Sequence, residues 1–258
     1  MMTKRAMKWA IHGLIILGLT ILTQIGGLIW LASRFSRWPR TTFLIGYCAI
    51  TLTLQLAGTG LGRTALPCFA TKETPLQSTS ALYCALNRNY ASQKAATGTI
   101  LAAREVAKAF PGTITLYLDA GFPIGLGFPM LPHLSHGDGE RVDFAFYYRD
   151  GKDGYLPGRT RSPIGYWAFQ QPSQHSPQPC SGRNGILRWD MEMLQPLWRD
   201  WSVDRARTRL LINQLLQGRA RRVLLEPHLK HQLNLTSSKI RFQGCSAARH
   251  DDHLHADF

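Results

Sequence analysis

The last ten residues read RHDDHLHADF, residues 249–258, and hold three histidines and three aspartates. His253 and His255 are two apart, and on a β-strand that spacing sets both imidazoles on one face. A second cluster, PHLSHGDGERVDF, places His136 seven residues before Asp143. Gly139 frees the turn between them, so the chain can reverse and bring an imidazole and a carboxylate to one point. Two histidines, one carboxylate and an open position make the shell of a catalytic zinc site, whereas structural sites fill all four positions, usually with cysteine. A His-rich terminal tract read alone is more often a solvated tail than a metal site. The conjunction with a separate His-x6-Asp on a Gly-rich turn is what points to a metal.

The surrounding elements must position these groups. TGTILAAREVAKAF (97–110) has apolar residues at helical spacing and stops at Pro111-Gly112. TITLYLD (113–119) and RVDFAFYY (141–148) read as strands flanking 120–140, whose five glycines and three prolines exclude a regular element. Residues 151–185, rich in Gly, Pro, Ser and Gln, form a long inserted loop carrying Tyr155, Tyr166 and Trp167. Helices at about 189–200 and 203–217, the strand RVLLE (222–226), the helix PHLKHQL and a final strand HLHADF complete the chain. Without a regular βαβ alternation, this mixture predicts an α+β domain with a mostly antiparallel sheet and flanking helices.

The first sixty residues differ in kind. Trp9 to Leu31 carries no Asp, Glu, Lys or Arg, and a second uncharged run extends from Thr42 to Leu61. About 20 apolar residues cross a bilayer as a helix, so the expectation is a two-helix transmembrane hairpin over 1–62 with the basic connector RFSRWPR, a tether over 63–95 and a catalytic domain over 96–258. A cleaved signal peptide with Lys4, Arg5 and Lys8 as its basic region is the alternative. Those residues balance Arg34, Arg37 and Arg40 of the connector, so charge leaves the orientation open. Cys68, Cys84, Cys180 and Cys245 permit two disulfides in any of three pairings and favour an oxidising compartment. A formal net charge of +14 suggests an anionic partner. Nucleic acid is not expected, since no nucleic-acid-binding signature is present and DRARTRLLINQLLQGRARR reads as a helix with a solvated basic face.

Ser135-His136-x-x-Gly139-x-x-x-Asp143 with the late His253-x-His255 resembles the LAS-type metallopeptidase superfamily, which unites lysostaphin-type endopeptidases, D-alanyl-D-alanine peptidases and hedgehog domains. His133-x-x-His136 and His250-Asp251-Asp252-His253-x-His255 are similar to its penicillin-insensitive murein endopeptidase branch. The resemblance covers roughly residues 96–258. It implies a zinc peptidase that cuts peptide cross-links or stem peptides of peptidoglycan; the apolar N-terminus adds an anchor in the cytoplasmic membrane, and the cysteines favour the periplasmic side. It also implies His136, Asp143 and His255 as zinc ligands, His253 as the base beside the metal-activated water, and His133 and His250 as residues that line the site or orient substrate. Asp252 stands where the carboxypeptidases place an acidic base. On a regular strand it points away from His255, so His253 is the expected base and Asp252 the reserve. Leu134 replaces the first residue of the family's Ser-x-His, which argues against a plain carboxypeptidase. A wall-binding or metal-sensing module of the same fold, without turnover, is the rival reading.

Other residues carry weaker signals. His228 and His231 in EPHLKHQ read as a surface pair, Asp138 and Glu140 as a solvated turn, and Asp119 as either a turn cap or a cleft residue. GFPIGLGFP lacks the GKS/T and the succeeding helix of a phosphate loop.

Overall fold

The computed structural model describes residues 3–57, 61–125, 127–128, 130–131, 134–151, 154–165, 168–182 and 199–258. Three helices open the chain: α1 (Lys4–Thr23), α2 (Gly26–Ser33) and α3 (Pro39–Ala57). Thr3 caps α1 by accepting the Ala6 amide at 3.2 Å. By length and composition α1 could cross a membrane, the one such helix among the described residues; a signal sequence passes the same test. The expected hairpin of two spanning helices does not form. Gln24, at φ 66°, ends α1 inside the Trp9–Leu31 run, and α2 then doubles back along it. The two helices touch so closely that a Cβ on Gly27 would lie 1.9 Å from Thr20 Oγ1. With 8 residues, α2 is about 12 Å long, far short of a bilayer core of about 30 Å. In α3, Arg40, Gln55 and several threonines dilute the apolar run.

These helices are fastened to the rest of the chain. The Gln24 side-chain amide donates to the Ile124 carbonyl at 2.8 Å and accepts the Ile124 amide at 3.0 Å. The Tyr47 hydroxyl donates to the Ala85 carbonyl at 2.8 Å and accepts from Asn87 Nδ2 at 2.9 Å.

The remaining elements are β1 (Thr64–Ala65), β2 (Leu76–Ser78), α4 (Ala81–Ala85), β3 (Tyr90–Ala91), α5 (Gln93–Ala109), β4 (Thr115–Tyr117), β5 (Arg141–Ala145) and β6 (Tyr148–Arg149). After the long loop come β7 (Ser202–Val203), α6 (Arg205–Gly218), β8 (Arg222–Leu224), α7 (Pro227–Gln232), β9 (Ile240–Arg241) and β10 (His253–Asp257). Six strands form the main sheet in the order β2–β4–β5–β10–β8–β9. Its centre is antiparallel, as expected, but β2–β4 and β8–β9 are parallel, so the sheet is mixed rather than mostly antiparallel. Both parallel pairs join strands separated by a helical crossover, which parallel pairing requires.

Alternation along β5 and β10 decides what each face carries. Val142, Phe144, Leu254 and Ala256 turn to the buried core with α5 and α6, leaving Asp143, His253, His255 and Asp257 on the other face. Helix α5 starts at Ser92, whose hydroxyl accepts the Ala95 amide at 3.2 Å. Helix α6 buries Thr208, Leu211, Ile212, Leu215 and Leu216, the stripe that a helical period produces, and leaves Arg205 and Arg209 exposed. The segment 63–95, expected as a tether, supplies β1 to β3 and α4 instead, because Leu66, Leu76, Tyr83 and Tyr90 are buried. Disulfides join Cys68 to Cys84 and Cys180 to Cys245, which selects one of the three pairings, while Cys48 on α3 is free.

Phe258, fully buried, presses against α5 where Gly98 leaves room: a Cβ there would lie 2.7 Å from Phe258 Cε1. Gly98→Val should therefore cost about 1–3 kcal/mol of stability by overpacking. Gly218→Ala, with nothing within 4 Å of a new Cβ, should be neutral or stabilising. Thermal melts of the two variants check this.

Candidate metal centre

Strands β5 and β10 pair so that His255 lies directly opposite Asp143, with His253 opposite Ala145 and Asp257 opposite Arg141. His136 arrives from the loop, in a 3₁₀ turn spanning Leu134–Asp138. Gly139 ends that turn at φ 70°, and the Arg63 guanidinium occupies the space where its Cβ would stand. Arg63 also donates to the Gly137 carbonyl at 3.0 Å. The turn is thus held against the sheet from the N-terminal side of the domain.

The three side chains expected as ligands come together. Donor atoms of His136, Asp143 and His255 all lie within 4.8 Å of one another, and all three residues are buried. His136 Nε2 is 3.3 Å from Asp143 Oδ2 and 3.4 Å from His255 Nδ1. Two such separations match the edge, about 3.3–3.4 Å, of a tetrahedron with bonds of about 2.0–2.1 Å. The third, His255 Nδ1 to Asp143 Oδ1, is a hydrogen bond of 2.7 Å.

Outer partners set the ring orientations. His136 Nδ1–H donates to the Ala120 carbonyl at 2.8 Å, so its Nε2 lone pair faces the cluster. His255 Nε2–H donates to Asp257 Oδ1 at 3.2 Å, leaving Nδ1 as its ligand atom. Asp257 is held in turn by Arg141 at 3.0 Å and by Arg222. An imidazole backed by a carboxylate is the usual support of a metal-bound histidine. Burial works to lower the His255 pKa, but the charge and hydrogen bond of Asp143, with Asp257 behind, push it up to about 9. Burial likewise opposes ionisation of Asp257, yet His255 and Arg222 hold it below the usual carboxylate range.

His253 shares the face of His255 as expected. Its Nδ1–H donates to Asp252 Oδ1 at 2.5 Å, and Asp252 Oδ2 accepts from the Ser162 hydroxyl at 2.6 Å. Asp252 therefore backs His253 and does not join the three-residue cluster. Burial would depress the His253 pKa, but the Asp252 charge and hydrogen bond, with Asp143 adding, leave it raised. Gly165, at φ 76°, lies against the same ring, where a Cβ would come within 3.3 Å of Nδ1. The long loop is thus part of the site. The buried His250 ring sits 5.1 Å from that of His253 and 5.6 Å from that of His255.

Several expectations resolve differently. His133, Tyr166, Trp167 and most of the helix expected at 189–200 lie outside the described residues. His228 is buried on α7 beside Asp251, at 3.7 Å, while His231 is exposed, so they are not a surface pair. Asp138 pairs with Arg141 at 2.8 Å, and Glu140 pairs with Arg221. Asp119 makes a buried two-point contact with Arg88, and its carbonyl accepts the Asp143 amide at 2.9 Å. Ser162, Arg63, Arg88 and Asp257 were not foreseen. Of these only Asp257 had a sequence signal, continuing the alternation of His253 and His255.

The sequence matches no protein-family model and no curated protein.

The donor set, two neutral-capable imidazoles and one carboxylate, fits a divalent cation that accepts nitrogen and oxygen ligands. In the metal-free protein both His255 nitrogens donate, so near pH 7 a cation must displace the Nδ1 proton. Since that proton is lost only around pH 9, affinity should rise about tenfold per unit from pH 7 towards 9 and then level off. Calorimetric titration in buffers of different protonation enthalpy measures both the slope and the released proton; a flat profile would contradict the assignment of His255.

Proposed function

We propose that this chain is a membrane-anchored, zinc-dependent peptidase that hydrolyses peptide cross-links or stem peptides of peptidoglycan, its domain on the extracytoplasmic side. The observation that carries the reading is the buried convergence of His136, Asp143 and His255 beside His253. Of the residues that resemble the murein endopeptidase branch, His136, His250, His253 and His255 lie together there.

When bound, zinc would supply a Lewis acid for the scissile carbonyl and bring the pKa of a water towards about 7. The protein's own groups handle the protons. Asp252 keeps the proton of His253 on Nδ1, so Nε2 is the nitrogen assigned to take a proton from the attacking water and return it to the leaving amine as the carbonyl–nitrogen bond breaks. The exchange needs the neutral imidazole, and a bound cation beside the ring would oppose the raised pKa that Asp252 and Asp143 give it. His250, beside both rings, is placed to donate to a substrate carbonyl. Ser162 and Asp252 act as positioning residues.

Sidedness rests on two further features. Because α2 folds back, Arg34, Arg37 and Arg40 line one pocket with Lys8, while Gln24, at the far end of α1, is bonded to the domain. Basic residues favour the cytoplasmic side, which supports an extracytoplasmic domain. The two disulfides agree with an oxidising compartment. The net charge of +14 favours approach to an anionic wall.

The full chain should release muropeptides from purified sacculi, lose that activity to a chelator and regain it with zinc. His136→Ala and His255→Ala should lose both zinc and hydrolysis. His253→Ala should keep zinc and fall about 10²–10⁴-fold in rate. Ser162→Ala should keep zinc and KM and lose about 10–100-fold in kcat, with Ser162→Thr restoring much of it. Wild-type protein that binds sacculi without releasing fragments, or full activity in chelator, would reject the peptidase reading.

A further inference from the structure

Another polar concavity, lined by none of the metal ligands, lies where α1 and α2 meet the turn into α3. Its volume is about 610 Å³, and Lys8, Arg34, Arg37 and Arg40 line it with Trp30 and Trp38. These cations come from separate stretches of chain, gathered because α2 doubles back beside α1. Arg34 is half-buried and lies 5.8 Å from the centre of the Trp30 ring; Arg37 lies 6.0 Å from that of Trp38.

The chain offers these charges no nearby counter-ion in sequence, since no Asp or Glu occurs before Glu73. None of the residues lining the pocket is acidic. Like charges brought together repel, and more strongly where neighbouring apolar surface lowers the effective dielectric. An anion in the pocket would relieve that repulsion. The surroundings indicate its source: Leu14, Leu17 and Leu28 on α1 and α2 are exposed, and so are Trp38 of the pocket and Phe35 in the same turn. Exposed leucines beside a basic, tryptophan-bearing turn are what an acyl chain and its headgroup would each contact, with aromatic side chains at the level of the headgroups.

We propose that this pocket binds the phosphate of an anionic phospholipid, with the acyl chains lying along the exposed leucines of α1 and α2. The guanidinium groups donate to the phosphate oxygens, and the tryptophans fix the depth of the headgroup. This site does not depend on the peptidase reading and would hold for an inactive domain equally.

The test uses the full chain in neutral detergent, titrated in separate arms with phosphatidylglycerol, phosphatidylcholine and inorganic phosphate. Phosphatidylglycerol should bind saturably, phosphatidylcholine far more weakly, and inorganic phosphate only at much higher concentration. Arg34→Gln/Arg37→Gln should weaken phosphatidylglycerol binding about 25-fold, from about fivefold for each juxtamembrane charge, while Lys4→Gln/Arg5→Gln, equal in charge and outside the pocket, should weaken it less than about threefold. Arg40→Gln, at an exposed position, provides a milder variant should the double one fail to fold, with an expected loss of about fivefold. Equal losses in the two double variants, no loss in Arg40→Gln, equal binding of phosphatidylcholine, or inorganic phosphate binding as tightly as the lipid would each overturn the proposal.

Discussion

The antiparallel pairing of β5 with β10 is the constraint on which the site depends. It sets His255 across from Asp143, and directly opposed residues have Cβ atoms only about 4.5–5.5 Å apart. What holds the register is the opposite face, where Val142, Phe144, Leu254 and Ala256 are all fully buried. A slip of one residue would turn Leu254 and Ala256 towards the site and drive His253, His255 and Asp257 into the core. The same packing that stabilises the domain therefore fixes the ligand geometry. Polar residues on the site face are kept in place by one another, through Asp257 behind His255 and Asp252 behind His253.

Much of this was legible in the chain, for identifiable reasons. The terminal strand shows its alternation openly, so the shared face of His253 and His255 came from spacing alone. The helices α5 and α6 were marked by apolar residues at helical intervals and, for α5, by Pro111-Gly112 beyond its end. Shorter elements were not visible: β2 and β9 are three and two residues long, too short to show a period, and their parallel pairing is what makes the sheet mixed. The break at Gln24 was hidden because an uncharged polar residue hardly interrupts an apolar run, although Gly26-Gly27 just after it was a signal for the close return of α2. Ser162 could not be found from sequence, since its partner Asp252 is 90 positions away and nothing local distinguishes it from other loop serines.

The loop that carries His136 illustrates how a flexible sequence becomes a fixed one. Its five glycines lose much conformational freedom on folding, and the buried side chains of Phe122 and Met130 offset part of that loss. Polar anchors add to them: Gln24 at the turn between α1 and α2 bonds both backbone groups of Ile124, and Arg63 fills the space over Gly139. Through these contacts the N-terminal helices hold the start of the loop at Ile124, and the segment after them reaches the ligand-bearing turn itself. A helical unit with that role is more than a leash, because displacing Gln24 or Arg63 would loosen the approach of His136 while leaving β5 and β10 in register.

The most direct measurement is anomalous diffraction at the zinc edge from crystals of the zinc-loaded protein. One peak is expected, bonded to His136 Nε2, an Asp143 oxygen and His255 Nδ1 at about 2.0–2.2 Å, with a coordination position left for solvent. A folded protein whose zinc is bonded to other residues, or that takes up none, would contradict the assignment.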